Sequence, residues 1–274
     1  MGDGKRGRLF AQGRVYLVGA GPGDPELLTV KAERLIRSAD AVLHDDLVSQ
    51  EILVLIPACA QVQNVGKRCG AKRITQEEIN ARLIALAREG LTVVRLKGGD
   101  PLIFGRACEE MDSLRRAGVE FEVVPGVTAA LAAAAAAQIP LTDRRVASKL
   151  LLYSNHRCVG KETAGLGKAV PRDATLAVYM PGHGLEELAS ELLAAGFEDR
   201  TPCLLVSCAA RPQQQFYLTT LRKLTLAPRF PAPALLIVGA MAARFPASEP
   251  EEEKRFAEAA VAMRSCREYT VPHL

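Results

Sequence analysis

At 274 residues, 49% of them hydrophobic and 24% charged, the chain can fill one large or two ordinary globular domains. A net charge of +4 with 5% aromatic residues permits an anionic small substrate. It argues against nucleic acid, because no basic run carries interleaved aromatics. No apolar run reaches the ~18 residues of a membrane-spanning helix, so no membrane partner is expected.

Residues 1–13 hold three basic residues and no apolar core of signal type. They read as a disordered leader, and the expected location is cytoplasmic. The seven cysteines, at 59, 69, 108, 158, 203, 208 and 266, are odd in number and form no C-x-x-C pair, which argues against a disulfide framework or a structural zinc site. The four histidines make no H-x-x-x-H, so no metal is expected.

Residues 14–18 predict a strand that ends on Gly19-Ala20-Gly21-Pro22-Gly23-Asp24. The G-x-G-x-G spacing, with Pro22 inside it and no acidic residue ending a second strand in the expected place, argues against a dinucleotide fingerprint. Asp24 and Pro25 predict the N-cap and N1 of a helix to about residue 38, with Leu28, Ala32, Leu35 and Ile36 on one face. A second strand, Ala41–His44, ends on Asp45-Asp46, and a third, 60–65, is followed by Gly66-Lys67-Arg68.

Thr75 and Glu78 form a capping box. The helix it opens runs to Arg88 with Ile79, Leu83, Leu86 and Ala87 inward, and Gly90 stops it. The apolar run 91–96 predicts a buried central strand ending on Lys97-Gly98-Gly99-Asp100-Pro101, where two adjacent glycines let backbone approach a ligand closely. Pro101 holds Asp100 out of the helical region, so Asp100 is expected to cap the segment after it and to leave a carboxylate near the pocket. A helix over 109–117, a strand at Phe121–Val124 ending on Pro125-Gly126-Val127-Thr128-Ala129, and an Ala-rich helix over 129–137 complete the first half. Helices alternating with strands whose ends carry glycines or polar groups predict a doubly wound, mostly parallel sheet with its site along one edge.

The stretch 138–148, with Pro140, Thr142, Asp143, Arg144 and Arg145, breaks the pattern. It sets the expected division into an N-terminal α/β domain (14–141), a C-terminal α/β domain (142–246) and a charged appendage (247–274). The second half predicts strands at 150–153, 175–179, 202–207, 214–219 (an edge strand) and 233–238, a helix over 185–195, and a loop with three glycines between 160 and 167. More strands with fewer long helices suggest a mixed sheet.

Six motifs stand in order along this frame: Val15 to Asp24, Asp45-Asp46-Leu47-Val48-Ser49, Val65-Gly66-Lys67-Arg68, Gln76-Glu77-Glu78-Ile79-Asn80, Val94-Arg95-Leu96-Lys97-Gly98-Gly99-Asp100-Pro101, and Val124-Pro125-Gly126-Val127-Thr128-Ala129. With them the chain resembles the tetrapyrrole methylase family over about residues 13–243. The resemblance implies two α/β domains with S-adenosylmethionine (leaving as S-adenosylhomocysteine) in the cleft between them, no metal, and a homodimer. The implied activity is methylation of uroporphyrinogen III at two pyrrole carbons to give precorrin-2, for sirohaem or cobalamin synthesis. A later corrin precursor or a macromolecule is the alternative substrate.

By position, the resemblance implies that Pro22, Gly98, Gly99, Asp100, Ile103, Thr128, Ala129, Met180 and Ala209 line the cofactor. Asp45 matches the family's proton acceptor and Lys67 its donor; Arg106, Glu109 and Arg144 match residues near the macrocycle, and Arg106 is counted with the catalytic set. The chain departs from the family pattern at Asp46 and Asp143, where basic residues are usual, and at Cys208-Ala209-Ala210, where Asn-Gly-Thr is usual. Carboxylates at 46 and 143, if they face the ligand, are expected to weaken binding of a polyanionic tetrapyrrole.

Overall fold

The structure is a computed structural model that describes residues 13–66, 74–155, 170–171, 173–182 and 184–246. Its contacts divide the chain into two compact units, Met1–Ala132 and Ala133–Leu274.

In the first unit the β-branched runs of the sequence become five parallel strands, β1 (Arg14–Gly19), β2 (Ala41–His44), β3 (Gln61–Asn64), β4 (Thr92–Lys97) and β5 (Phe121–Val124), in the order β3-β2-β4-β1-β5. Strand alternation sorts the apolar side chains onto two faces. Val15, Leu17, Leu43 and Val93 pack with Ile79, Leu83 and Ala87 of α3 (Gln76–Arg88) and with Leu114 of α4 (Ala107–Arg116). Val18, Val42, Val94, Leu96 and Val124 pack with Ala32, Leu35 and Ile36 of α1 (Val30–Arg37) and Ile52 of α2 (Gln50–Leu53). This is the doubly wound sheet that the alternation of elements predicts, and every strand is parallel to its neighbours.

The capping box at the start of α3 forms as predicted, with Thr75 Oγ1 accepting from the Glu78 N–H at 3.1 Å and Glu78 Oε2 accepting from the Thr75 N–H at 2.7 Å. Gly90 comes after the helix at φ +86°. Two local expectations change. The helix predicted over 25–38 is instead a 3-10 turn, Pro25–Leu27, and then α1. Asp24 Oδ1 caps only the turn, accepting from the Glu26 N–H at 2.9 Å; Leu28 is extended, and Thr29 Oγ1 then caps α1 through the Ala32 N–H at 3.1 Å. The second cap sets the register of the helix. The four-residue α2 was not predicted, being too short to show a helical period. The Ala-rich segment forms α5 (Ala129–Ala136).

The second unit is a mixed sheet, β6 (Lys149–Ser154), β7 (Ala174–Tyr179), β8 (Pro202–Ser207), β9 (Gln215–Thr220) and β10 (Ala234–Val238), in the order β6-β7-β10-β8-β9. Only β6 and β7 pair in parallel. Leu188, Ala189 and Leu192 of α6 (Leu185–Ala194) pack with Leu176, Val178, Leu205 and Leu236. β9 lies at the edge, as the sequence predicts. Because β10 runs antiparallel to both β7 and β8, those two strands point the same way, and their carboxyl ends share one edge of this sheet.

Candidate functional site

Parallel strands bring all five carboxyl ends of the first sheet to one edge, the usual place for a ligand in an open α/β sheet. The loops after four of those strands are tied to one another. Gly21 and Gly99 exchange backbone hydrogen bonds of 3.1 and 2.7 Å, and the Ala20 N–H donates to the Lys97 carbonyl at 2.8 Å. Ser49 Oγ donates to the Gly23 carbonyl at 2.6 Å. Asp100 Oδ2 accepts from the Gly126 N–H at 3.0 Å, while Oδ1 accepts from the Leu102 N–H at 2.8 Å.

Glycine is required where these loops meet. A Cβ on Gly126 would lie 2.4 Å from the Gly99 carbonyl oxygen, and one on Gly19 would lie 2.6 Å from the Gly126 nitrogen. Backbone packed on backbone leaves no room for a side chain.

This lattice contains the cap predicted at Asp100 and ties that residue to a second loop. The Asp100 carboxylate is taken up by two backbone N–H groups of its own scaffold; a residue that bends the chain at Asp-Pro caps the turn it makes and here also pins the loop after β5. The N–H groups of Ala20 and Gly21 are likewise taken up, so they are not available to a pyrophosphate. A phosphate-free nucleoside such as that of S-adenosylmethionine needs no such cradle. Half-exposed Leu47, Leu102, Phe104 and Leu131 sit on the loops after β2 and β4 and at the start of α5, where they offer apolar area to an aromatic base or macrocycle. The residues present therefore fit that cofactor's class.

Of the sequence-predicted site residues, the structure brings Pro22, Asp45, Gly98, Gly99, Asp100, Ile103, Arg106, Thr128 and Ala129 to the loops at this edge or to the helix ends next to them. Pro22 is buried; Gly98, Ile103 and Ala129 are half-buried. The Thr128 carbonyl accepts from Leu131 and Ala132 at the start of α5. Arg106 precedes α4 at φ +56° and donates to Glu109, Nε to Oε1 at 2.8 Å and Nη2 to Oε2 at 2.7 Å. Lys67 lies outside the described residues, as do the predicted leader up to residue 12, the glycine loop at 160–167 and the appendage at 247–274.

In the second unit Met180 comes directly after β7 and Ala209 shortly after β8, on the shared edge. Met180, Cys208 and Ala210 all have positive φ, +50°, +50° and +57°. With Phe104 and Arg106, five of the six non-glycine residues of positive φ among those described lie beyond strand ends carrying predicted ligand residues. Left-handed backbone at such residues costs about 1–3 kcal/mol each and concentrates at ligand sites. Arg144 sits in a turn closed by the paired backbones of Asp143 and Ala147.

The expected repulsion from Asp143 meets a local counter-charge. Arg145 donates to it from the side chain, at 2.6 Å from Nη2 to Oδ2, and from the backbone, at 2.9 Å. Those bonds hold its carboxyl well below the usual range. Asp46 Oδ1 accepts from Asn64 Nδ2 at 2.8 Å.

The residues that sequence reasoning missed lie under the edge. Arg95 and Lys97, on the same face of β4 as Val93, meet Glu110 of α4 in the core. Glu110 Oε1 accepts from Arg95 Nε at 3.0 Å, and both its oxygens accept from Lys97 Nζ at 3.0 Å. Gln76 Nε2 donates to Oε1 at 3.3 Å. Arg95 continues to the Leu43 and Leu96 carbonyls at 3.3 and 3.2 Å, and its Nη2 is ion-paired with Asp45 Oδ1. Arg95 and Lys97 are each 3% exposed and Glu110 is fully buried, whereas the Asp45 side chain is 28% exposed.

Two cations thus face two carboxylates, and only one of the four reaches solvent appreciably. Burial acts against the charge on Arg95, but Asp45 and Glu110 outweigh it and hold the guanidinium pKa above its ordinary value. Burial, with Arg95 alongside, pushes the Lys97 ammonium below its own. The signal in the sequence was the pair Arg95 and Lys97 two apart in a strand buried on both faces, which requires a carboxylate on the covering helix. Glu110 shares the inward stripe of Ala107 and Leu114.

The molecule is thereby defined as a two-sheet α/β protein whose first unit joins its strand-end loops along one edge, with the partly exposed Asp45 carboxylate paired to a buried cluster of Arg95, Lys97 and Glu110. The pattern of the family described as Tetrapyrrole (Corrin/Porphyrin) Methylases matches residues 14–225, and the chain belongs to that family. It is 46% identical over 246 residues to a uroporphyrinogen-III C-methyltransferase of Paracoccus denitrificans, covering 88% of this chain and 85% of that one. It is 47% identical over 230 residues to siroheme synthase 1 of Yersinia enterocolitica, covering 83% of this chain and 48% of the relative, about half its length. Among solved structures, uroporphyrin-III C-methyl transferase of Thermus thermophilus complexed with S-adenyl homocysteine is similar at a TM-score of 0.75 and 42% identity, over 85% of this chain and all of that one.

Proposed function

We propose that this chain methylates uroporphyrinogen III at two pyrrole carbons, with S-adenosylmethionine as donor, to give precorrin-2. The identity to uroporphyrinogen-III C-methyltransferases along most of both chains carries this reading. The loop edge with Asp45 on it supports the same reading. Bound at that edge, S-adenosylmethionine supplies an electrophilic methyl group, with no metal needed. Forming the carbon–methyl bond would break the sulfonium–methyl bond, release S-adenosylhomocysteine and leave a proton to be lost, for which the Asp45 carboxylate is the acceptor.

Lys67 serves as proton donor, and Pro22, Gly98, Gly99, Asp100, Ile103, Thr128, Ala129, Met180 and Ala209 hold the cofactor. For Asp100 that role is indirect, through the backbone it pins. The substrate carries eight carboxylates; Arg106 and Arg144 supply planar guanidinium forks for them, and Glu109 holds Arg106 until substrate takes its place. No helix among the described residues is long and apolar enough to cross a membrane, and the proposed working form is a cytoplasmic homodimer.

The test is methyl incorporation by the purified chain, with uroporphyrinogen III and a later corrin precursor offered separately. Two methyl groups per uroporphyrinogen III are expected. Transfer to the corrin precursor alone would overturn the substrate assignment.

A further inference from the structure

The geometry points to Arg95 and Glu110 as positioning residues for methyl transfer: Glu110, buried under α4, fixes the Arg95 guanidinium, and Arg95 in turn fixes the Asp45 carboxylate at the loop edge. The inference rests on Asp45 as proton acceptor.

A carboxylate on a loop after a strand has several rotamers, and a general base is effective only within hydrogen-bond reach of its proton. Here Asp45 has one oxygen committed to Arg95. Arg95 has little freedom itself: Nε is held by Glu110, and Nη1 by the carbonyls of Leu43 and Leu96, the latter in its own strand. Glu110 is fixed by Lys97 and Gln76 as well.

The chain of contacts runs from α3 through α4 and β4 to the end of β2. Next to it, the His44 ring lies 3.1 Å from the Asp45 carbonyl oxygen, and Asp46 Oδ1 accepts from Asn64. A quartet that served stability alone would gain little by its charges, since buried ion pairs are often matched by apolar residues of equal volume. Nor would it need to end on a partly exposed carboxylate.

The experiment is a double-mutant cycle in methyl transfer. Arg95→Gln is expected to lower kcat by about 10²-fold, at the low end of what a positioned base contributes. KM and S-adenosylhomocysteine affinity should stay at wild-type values, and Arg95→Lys should recover part of the loss. Asp45→Asn combined with Arg95→Gln should be no slower than Asp45→Asn alone, because a residue acting through another adds nothing once that other is gone.

If Arg95→Gln does not fold, Arg95→Met with Glu110→Gln removes one cation and one anion together and leaves Asp45 and Lys97 in balance. The same kcat loss is expected there. Losses of Asp45 and Arg95 that multiply, or a folded Arg95 variant with wild-type kcat, overturn the positioning role while leaving the methyltransferase reading intact. A wild-type rate in Asp45→Asn overturns the acceptor and the positioning role together; absence of methyl transfer by the wild-type chain overturns the function itself.

Discussion

Gly126→Ala and Gly99→Ala add the same methyl group to neighbouring points of one loop lattice, and the structure gives them different outcomes. At Gly126 the new Cβ would sit 2.4 Å from the Gly99 carbonyl oxygen and 2.9 Å from two Gly19 backbone atoms. None of these is the end of a flexible side chain, so the loop after β5 must move away from those after β1 and β4. Overpacking of this kind costs about 1–3 kcal/mol. The bonds at risk are the 3.0 Å one from Gly126 to Asp100 and the Gly21–Gly99 pair, each worth about 1 kcal/mol net.

At Gly99 the nearest atoms to a new Cβ are 3.9 Å away. The penalty there is the left-handed backbone at φ +68°, about 1–2 kcal/mol, with the loops still in register. Urea unfolding should rank Gly126→Ala as the less stable. Calorimetric titration with S-adenosylhomocysteine should show affinity lost in both variants, in Gly126→Ala through displaced loops and in Gly99→Ala through a Cβ placed beside Thr128 and Ala129 of the proposed cofactor site. Equal stability of the two variants, or wild-type affinity in Gly126→Ala, would refute the claim that backbone contact among the three loops shapes the ligand edge.

S-adenosylhomocysteine at a hundred times its dissociation constant should stabilise the fold by about 2.7 kcal/mol, read as a rise in Tm, and NAD should give none, since the N–H groups of Ala20 and Gly21 in the first glycine loop are already bonded. Arg106→Ala should abolish methyl transfer without changing Tm or cofactor affinity, because its pair with Glu109 is half-exposed and such pairs contribute about 0–1 kcal/mol. Asp143 has a carboxyl pKa depressed by Arg145. Its ionised form therefore stabilises the fold above the unfolded value of about 4, and that contribution is lost as pH falls below it toward the folded value. The difference in urea midpoint between wild type and Asp143→Asn should be constant near neutrality and shrink on acidification; a difference that grows in acid would refute the pairing.

The strands β2, β4, β7, β8 and β10 were legible because burial on both faces leaves short apolar runs, and the helix at α3 was legible because its cap and its stop are both written in side-chain types. The first helix was misjudged because Asp24-Pro25 and Thr29 are both competent caps, and choosing between them depends on where Leu28 must turn. Local propensity does not contain that.

The site divides in the same way. Glycines at strand ends marked the edge, but that their job is contact with each other emerges only when Gly19, Gly99 and Gly126 meet across three strands. Asp100 was read as the cap of the segment after it, and it caps the Leu102 N–H; what sequence does not show is its second partner, the N–H of Gly126, 26 residues on. Charge behaves likewise. Asp45, the first of two carboxylates at a strand end, was singled out by the family resemblance, yet its orientation depends on Arg95, 50 residues away, and through it on Glu110. Sequence motifs therefore point to the residues that touch a ligand sooner than to those that aim them, because ligand contact selects residue type at the edge, whereas aiming is set by which helix covers which strand.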